Sequence, residues 1–514
     1  MLLAVNKLNN TQYLKAKKAG VRTFLFNEIA FIPDEKDDCV FYNCNQNRIQ
    51  GSWLTWNKND QAIQNFFKKH PQFFLYNQYN LILAIQKAAF WSNSKTGFLH
   101  QSVINNFSNE KIYYIEPLQQ INRWKVIVKY LISYFKLKNN KQSTPTKSNQ
   151  FEGRIGFHIK DNFQLSLYKH ILNTIRNKPK FVVFYNPGVD SSKLDGIDSV
   201  QIKQNHTTTR MPWVNPLFLS KGNLYVLNTI VNHKKELDKF VQQAEQIAST
   251  GVVKMLINEG ENGHYGACYS EVFKKHNILT YNTMNGMKAG EAQDSHINFD
   301  QWFVWDEYMK KMMLNKTNLK ENQLVVSGHL IEDSVKQHQF KNALPLDVNT
   351  LKHKKVISVF SVSGKRVSKL EAIDYLYQLL SDSDEYFLII RPHPLEKEDD
   401  FVLPKNALKN IFFVKYDMNN SIDTLHDQIL LSDIGVVFGS TVALECKWMG
   451  VPCITYEHNK ESVIYNVDDE NIFHVRTLND FKSKLDDLLK NSQKKQLDSS
   501  SKVADFIIET LLKN

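Results

Sequence analysis

Between Tyr386 and Tyr456 the sequence repeats one unit: a short apolar run, a polar or glycine-rich turn, and a helical pattern. The run 386–390 (YFLII) breaks at Arg391-Pro392-His393-Pro394. The run 434–438 (IGVVF) ends at Gly439-Ser440-Thr441, and helix-forming residues Val442, Ala443, Leu444 and Glu445 follow directly. Gly450-Val451-Pro452 stops that helix, and 453–456 (CITY) reads as the next strand. Strands buried on both faces lose the polar alternation of a half-exposed strand. Apolar runs this short, separated by helices, therefore predict βα units of a parallel sheet. In open parallel sheets, ligands bind beyond the carboxyl ends of the strands, where both polar turns lie.

The same unit recurs upstream. A strand is predicted at 356–360, followed by the loop Ser361-Val362-Ser363-Gly364-Lys365-Arg366 and a helix over 368–380. Further back, 154–159 and 181–185 read as strands around a helix at 164–176. Strands are also predicted at 224–227, 252–257, 278–281 and 302–305, and 325–329 closes this part. Two α/β domains follow, 151–345 and 346–514. Residues 139–150 (NNKQSTPTKSNQ) are polar and aperiodic, as in a linker. Residues 1–138 form an accessory α/β region, with strand-like runs at 23–26 and 111–115 and aromatic helical stretches near Phe66-Phe67 and over 81–90.

A chain of 514 residues with 42% hydrophobic side chains has room for two or three cores. The net charge of +11 points to an anionic partner or to a lysine- and asparagine-rich coding bias. Cys39, Cys44, Cys268, Cys446 and Cys453 form no framework. Cys446 and Cys453 fall in a predicted helix and strand, as buried thiols of a reducing compartment do. The start of the chain turns polar too soon for a signal peptide, and no apolar run reaches the ~18–20 residues that span a bilayer. A cytoplasmic protein is expected, peripheral on the inner face of the cell membrane if the following stretch docks there.

That stretch is 124–138 (WKVIVKYLISYFKLK). On a helix, Lys125, Lys129, Ser133 and Lys136 share one narrow face and the rest is aliphatic or aromatic. Two readings are open: a basic amphipathic helix on an anionic membrane surface, or a packing helix with snorkelling lysines.

A cationic turn facing a Gly-Ser-Thr helix start suits a phosphate: Arg391 is a fixed fork of donors, His393 donates whether neutral or charged, and the helix start offers N–H groups and a hydroxyl. A purely structural turn is the other reading of His393. Ser363, Gly364 and Lys365 open a helix at another strand end and suit a phosphate or an acidic sugar's carboxylate, or form a basic surface. The loop lacks the spacing of a Walker A motif. Asp382-Ser383-Asp384 resembles a metal motif by letter but precedes its strand, at the wrong end for a site, so no metal is expected.

Arg391-Pro392-His393-Pro394, Gly439-Ser440-Thr441, Glu445 and Gly450-Val451-Pro452 together resemble the bacterial surface-polysaccharide transferases. These comprise the capsule Kdo- and sialic-acid-type enzymes with their HP motif and the CDP-glycerol glycerophosphotransferases. The resemblance covers about 151–490 and implies a GT-B fold: two Rossmann-like domains facing a cleft. It implies a nucleotide-sugar donor bound through His393, Pro394, Ser440 and Thr441, with Gly439 in the turn and Glu445 toward the ribose or base. No obligatory cofactor is implied, and the HP turn points to a CMP-linked acidic sugar. The acceptor is a glycan or glycolipid.

The first α/β half matches the same group in order: a carboxylate loop at 257–266, the strand 278–281, the turn Asn285-Gly286, an aromatic strand, and Gly328-His329. Asn285 stands where many relatives have His, which moves the expected base to the carboxylate loop, with Glu259 first and Glu261 and His264 beside it. Two rivals remain. One is an enzyme of the UDP-N-acetylglucosamine 2-epimerase type, with the same two-half architecture. The other is a non-catalytic basic binding module. No nucleic-acid motif is present and the lysines are scattered, so a nucleic-acid partner is not expected.

Overall fold

The computed structural model describes residues 2–5, 22–26, 39–43, 48–50, 61–71, 73, 81, 85, 112–114, 122–135, 148–203, 221–258, 266–284, 299–316, 319–362, 367–394, 396, 409–415, 422–458, 471–491 and 502–513. The chain divides into two compact units, 1–330 with 505–514, and 331–504.

The first unit begins with strands β1 (Leu2–Val5), β2 (Arg22–Phe26), β3 (Cys39–Asn43) and β4 (Arg48–Gln50), helix α1 (Gln61–Lys69), strand β5 (Ile112–Tyr114) and helix α2 (Arg123–Phe135). The strands form a sheet ordered β4-β3-β2-β1-β5, parallel except for the β3–β4 pair. The strands expected at 23–26 and 111–115 are β2 and β5. Of the helical stretch expected at 81–90, only positions 81 and 85 lie within the described residues.

A seven-stranded sheet follows. Its elements are β6 (Ile155–Ile159), α3 (Asn162–Leu167), α4 (Lys169–Ile175), β7 (Phe181–Tyr185), β8 (Ser199–Gln201), α5 (Lys221–Ala248), β9 (Lys254–Ile257), α6 (Gly266–Lys275), β10 (Leu279–Thr283), β11 (Gln301–Val304), α7 (Glu307–Lys316) and β12 (Leu324–Val326). The strand order is β12-β11-β10-β9-β6-β7-β8, all parallel. The chain winds outward from β6 one way and from β9 the other, so the switch point lies between those two strands.

Two expectations are corrected here. The strand predicted at 224–227 lies in the first two turns of α5. Leu224, Leu227, Ile230, Lys234, Leu237, Val241, Ala244 and Ala248 are all buried, a three-and-four spacing that only a helix puts on one side. The single helix predicted over 164–176 is two short helices meeting at Tyr168, whose fully buried side chain fills the corner.

The second unit carries α8 (Glu332–Lys336), β13 (Lys355–Phe360), α9 (Val367–Asp382), β14 (Tyr386–Arg391), β15 (Ile411–Phe413), α10 (Ile422–Leu431), β16 (Ile434–Val437), α11 (Val442–Trp448), β17 (Cys453–Tyr456), β18 (Ile472–Val475) and α12 (Leu478–Asn491). Helix α13 (Val503–Lys513) ends the chain, passing into the first unit at Asp505. The sheet is parallel throughout, ordered β15-β14-β13-β16-β17-β18. Its switch point lies between β13 and β16. The strands that end in the turns after β14 and β16 are therefore separated by β13.

Both faces of this sheet are covered, which is why its strands read as unbroken apolar runs. Leu388 and Ile390 of β14 join Ile357, Val436, Tyr456 and Phe481 on one side. Phe387 and Ile389 join Leu344, Val356 and Val414 on the other. Tyr456 stacks on Phe481 of α12 with ring centroids 5.4 Å apart.

Candidate functional site

The carboxyl edge of the second sheet gathers the turns expected to hold a donor. β13 runs into Ser361 and Val362, β14 into Pro392-His393-Pro394, and β16 into Phe438-Gly439-Ser440-Thr441. The three strands are neighbours in the order β14-β13-β16, so these turns flank the switch point. Ser363, Gly364 and Lys365 lie outside the described residues, but both flanks of their loop are described.

The turn after β16 has a clear local cause. Gly439 takes a φ of +71°, where a side chain is strained, and so lets the chain reverse into α11. Ser440 Oγ accepts the Val442 N–H at 3.3 Å, capping one of the donors at the helix start. Thr441 forms no such side-chain cap. Ser440 and Thr441 are half-buried.

His393 is half-buried and Pro394 exposed. Arg391, the last residue of β14, is buried and turns to α10: its guanidinium donates to Thr424 Oγ1 at 2.9 Å and to Gln428 Oε1 at 3.5 Å. Burial pulls it down to about 10, and the charge of Glu445 opposes that. It therefore stays a cation.

Glu445, expected to face a ribose or base, is buried on α11 with Oε2 2.9 Å from His426 Nε2 of α10. The His426 ring meets the His338 ring edge-on at 5.0 Å, and His338 Nε2 lies 2.8 Å from Asp427 Oδ1. Asp427 also accepts the N–H groups of Lys341 and Ala343, at 3.0 and 2.6 Å. Burial would raise this carboxylate, but those two N–H groups and His338 outweigh it and hold Asp427 below its ordinary value. The row Arg391–Glu445–His426–His338–Asp427 lies in the second unit's interior and pins 338–343 to α10.

In the first unit, β9 ends at the buried Asn258. Its Nδ2 donates to Thr283 Oγ1 at 2.7 Å, and its carbonyl accepts from Gln164 Nε2 at 2.6 Å. This fixes the strand end from which the carboxylate loop departs. The loop residues Glu259, Glu261 and His264, like Asn285 and Gly286, lie outside the described residues. Gly328 takes a φ of +87°. His329 is buried against Trp305, ring centroids 4.3 Å apart, and burial pulls it down to about 3, so it is neutral at physiological pH. Trp305 is itself held by a hydrogen bond from Nε1 to the Met284 carbonyl at 3.1 Å.

Sequence reasoning missed a second buried imidazole. His158 on β6 lies 3.4 Å from Asn186 Oδ1 and 3.5 Å from the Tyr269 hydroxyl. Gln243 Nε2 donates to the same Asn186 oxygen, and Tyr269 donates to Gln243 Oε1 at 3.0 Å. It also missed Glu396 and Lys369, which sit behind the His393 turn. The available signal was an acid three residues after His393, at the spacing that closes a turn back on its own backbone. Asp384 of the metal-like Asp-Ser-Asp sequence accepts from Asn410 Nδ2 at 3.1 Å, at the amino edge of β14. Among the described residues no group of three His, Cys, Asp or Glu side chains converges to hold a metal.

No family model matches this chain, and no curated protein matches it by sequence. Solved structures do match. One is a protein assigned as UDP-N-acetylglucosamine 2-epimerase from Listeria monocytogenes, at 11% identity and a TM-score of 0.50, over 70% of this chain and 96% of that one. The wall teichoic acid polymerase TagF, in a structure with CDPG, matches at 12% identity and 0.40, over 77% and 98%. Anabaena HepE, in complex with UDP and glucose, matches at 12% and 0.42, over 71% and 100%. The likeness at a TM-score of 0.50 is one of fold, and with its two Rossmann-like parallel α/β sheets the chain has the GT-B class of architecture.

Proposed function

We propose that this chain is a glycosyltransferase that moves a sugar from a nucleotide donor to a surface polysaccharide or glycolipid, with the donor phosphates held at the carboxyl edge of the second sheet. One observation carries this reading: the HP turn, the Ser361 loop and the Gly439-Ser440-Thr441 turn, far apart in sequence, end three neighbouring strands around the switch point. Departure of a nucleotide needs its phosphate charge neutralised. His393 and the Ser440 and Thr441 hydroxyls supply donors there, and Arg391 supplies positive charge from within the unit. Lys365 lies on the loop whose flanks are described. In the first unit Glu259, with Glu261 and His264, supplies the base for the acceptor hydroxyl. The resemblance to the capsule transferases gives a CMP-linked acidic sugar as the donor to try first.

Helix α2 supports a peripheral partner. Val126 and Tyr130 are buried on one side, while Trp124 (73% exposed), Val128, Leu131, Ile132 and Phe135 form a stripe on the opposite side, bordered by exposed Lys125 and Lys129. The helix has no acidic residue. An apolar stripe edged by cations fits an anionic lipid surface. Lys136 of the same expected face lies outside the described residues. No described helix is long and apolar enough to cross a membrane.

A second reading, epimerisation of a nucleotide sugar without an acceptor, is favoured by the 0.50 likeness to the Listeria protein. Incubation with UDP-GlcNAc alone separates the two. Transfer predicts no epimer in the absence of acceptor, and accumulation of the 2-epimer overturns the transferase reading.

A further inference from the structure

In Pro392-His393-Pro394 the prolines carry no N–H, so His393 has the one backbone donor of the triplet. That N–H donates to Glu396 Oε2 at 2.6 Å, and the Glu396 N–H returns to the His393 carbonyl at 2.8 Å. The other oxygen, Oε1, accepts from Lys369 Nζ at 2.5 Å and from Ser361 Oγ at 3.0 Å. Lys369 Nζ also reaches the Val362 carbonyl at 3.4 Å. The Lys369 and Glu396 side chains are 2% and 0% exposed. One buried carboxylate thus joins three segments: the end of β13, the first turn of α9 and the HP turn. Ser361 and Lys369 lie on opposite sides of the 363–366 loop.

A buried ion pair adds little stability over a well-packed apolar pair of the same volume, so what it orients is the more telling property. We propose that Glu396 is a positioning residue: held by Lys369 and Ser361, it fixes the His393 backbone and ties that turn to the end of β13 and the first turn of α9. This rests on the donor-phosphate reading of the site given above.

The test uses the full-length chain and two double variants that both remove the charges, Lys369→Met/Glu396→Gln and Lys369→Met/Glu396→Leu. Only the glutamine keeps an acceptor for the His393 N–H. CMP, CDP, UDP and GDP are titrated by calorimetry, and amide hydrogen exchange is followed at His393. The expected result is affinity within about threefold of wild type for the glutamine variant. The leucine variant should bind at least about tenfold more weakly, with His393 exchange faster by a similar factor and β13 and β16 unchanged. A merely structural ion pair would affect both variants alike. Equal affinity and equal His393 exchange in the two variants overturn the proposal, as does rapid exchange of the His393 amide in the wild-type chain itself. If wild type binds none of the four, the donor reading falls, and the exchange comparison alone decides whether Glu396 holds the turn.

Discussion

His158 makes the first unit acid-sensitive in a calculable way. Its ring is 2% exposed on β6, and burial pulls it from an ordinary value of 6.5 down to about 4. The hydrogen bond with Asn186 and the charge of Asp161 oppose that pull, and Lys160 adds to it. The folded state therefore keeps this imidazole neutral at a pH where the unfolded chain protonates it. The stability it confers is fully present above pH 6.5 and is lost as pH falls from there toward 4. One proton bound on unfolding gives a slope of about 1.4 kcal/mol per pH unit, or about 3 kcal/mol across that window. His329, pulled down to about 3, adds a second proton over the same window and below it. Urea unfolding at a series of pH values from 7.5 to 4 is compared for wild type and His158→Gln. Glutamine retains hydrogen-bonding capacity toward Asn186 and does not titrate. The variant is expected to pay a constant cost at neutral pH and to lose one proton's worth of slope below 6.5. Equal slopes in the two proteins would refute the assignment.

Other substitutions probe packing and the buried charges. A Cβ on Gly156 of β6 would lie 2.2 Å from Met255 Sδ and 3.0 Å from the Phe184 ring, so Gly156→Ala is expected to destabilise by about 1–3 kcal/mol in urea unfolding. In a Met255→Ala background the same glycine substitution should cost less, since the clashing sulfur is gone. Glu445→Ala strips His426 and Arg391 of their shared anion, and should cost about 3 kcal/mol in the second unit's unfolding, with a smaller loss for Glu445→Gln. Co-sedimentation with phosphatidylserine-containing vesicles should be lost in Lys125→Glu/Lys129→Glu and weakened by salt. Equal pelleting with neutral vesicles would contradict the anionic-surface reading.

Much of the fold was legible because buried parallel strands leave continuous apolar runs: 386–390, 434–438 and 181–185 all stand as strands. The short edge strands β8 and β15 were not, because three residues, exposed or half-exposed to solvent, carry no pattern. The misreading of 224–227 came from a four-residue window, since the helical period of α5 shows only when Ile230, Lys234 and Leu237 are included. The turns at His393 and Gly439 could be placed at strand ends from sequence, since prolines and a left-handed glycine mark where strands stop. The side chains behind them could not. Glu396 meets Lys369 and Ser361 from 27 and 35 residues away, and Asp427 meets His338 from 89. Glu445 illustrates the limit well: its position on a helix was readable, but its partner His426 was not.

The most direct test of the central claim is a thermal-shift panel of CMP, CDP, UDP and GDP on wild type and His393→Ala. A donor site at the carboxyl edge of the second sheet predicts that one nucleotide stabilises the wild-type chain, by about 2.7 kcal/mol at a hundredfold excess over its Kd, and that the shift vanishes in the variant. Stabilisation by none of the four, or an undiminished shift in His393→Ala, would contradict it.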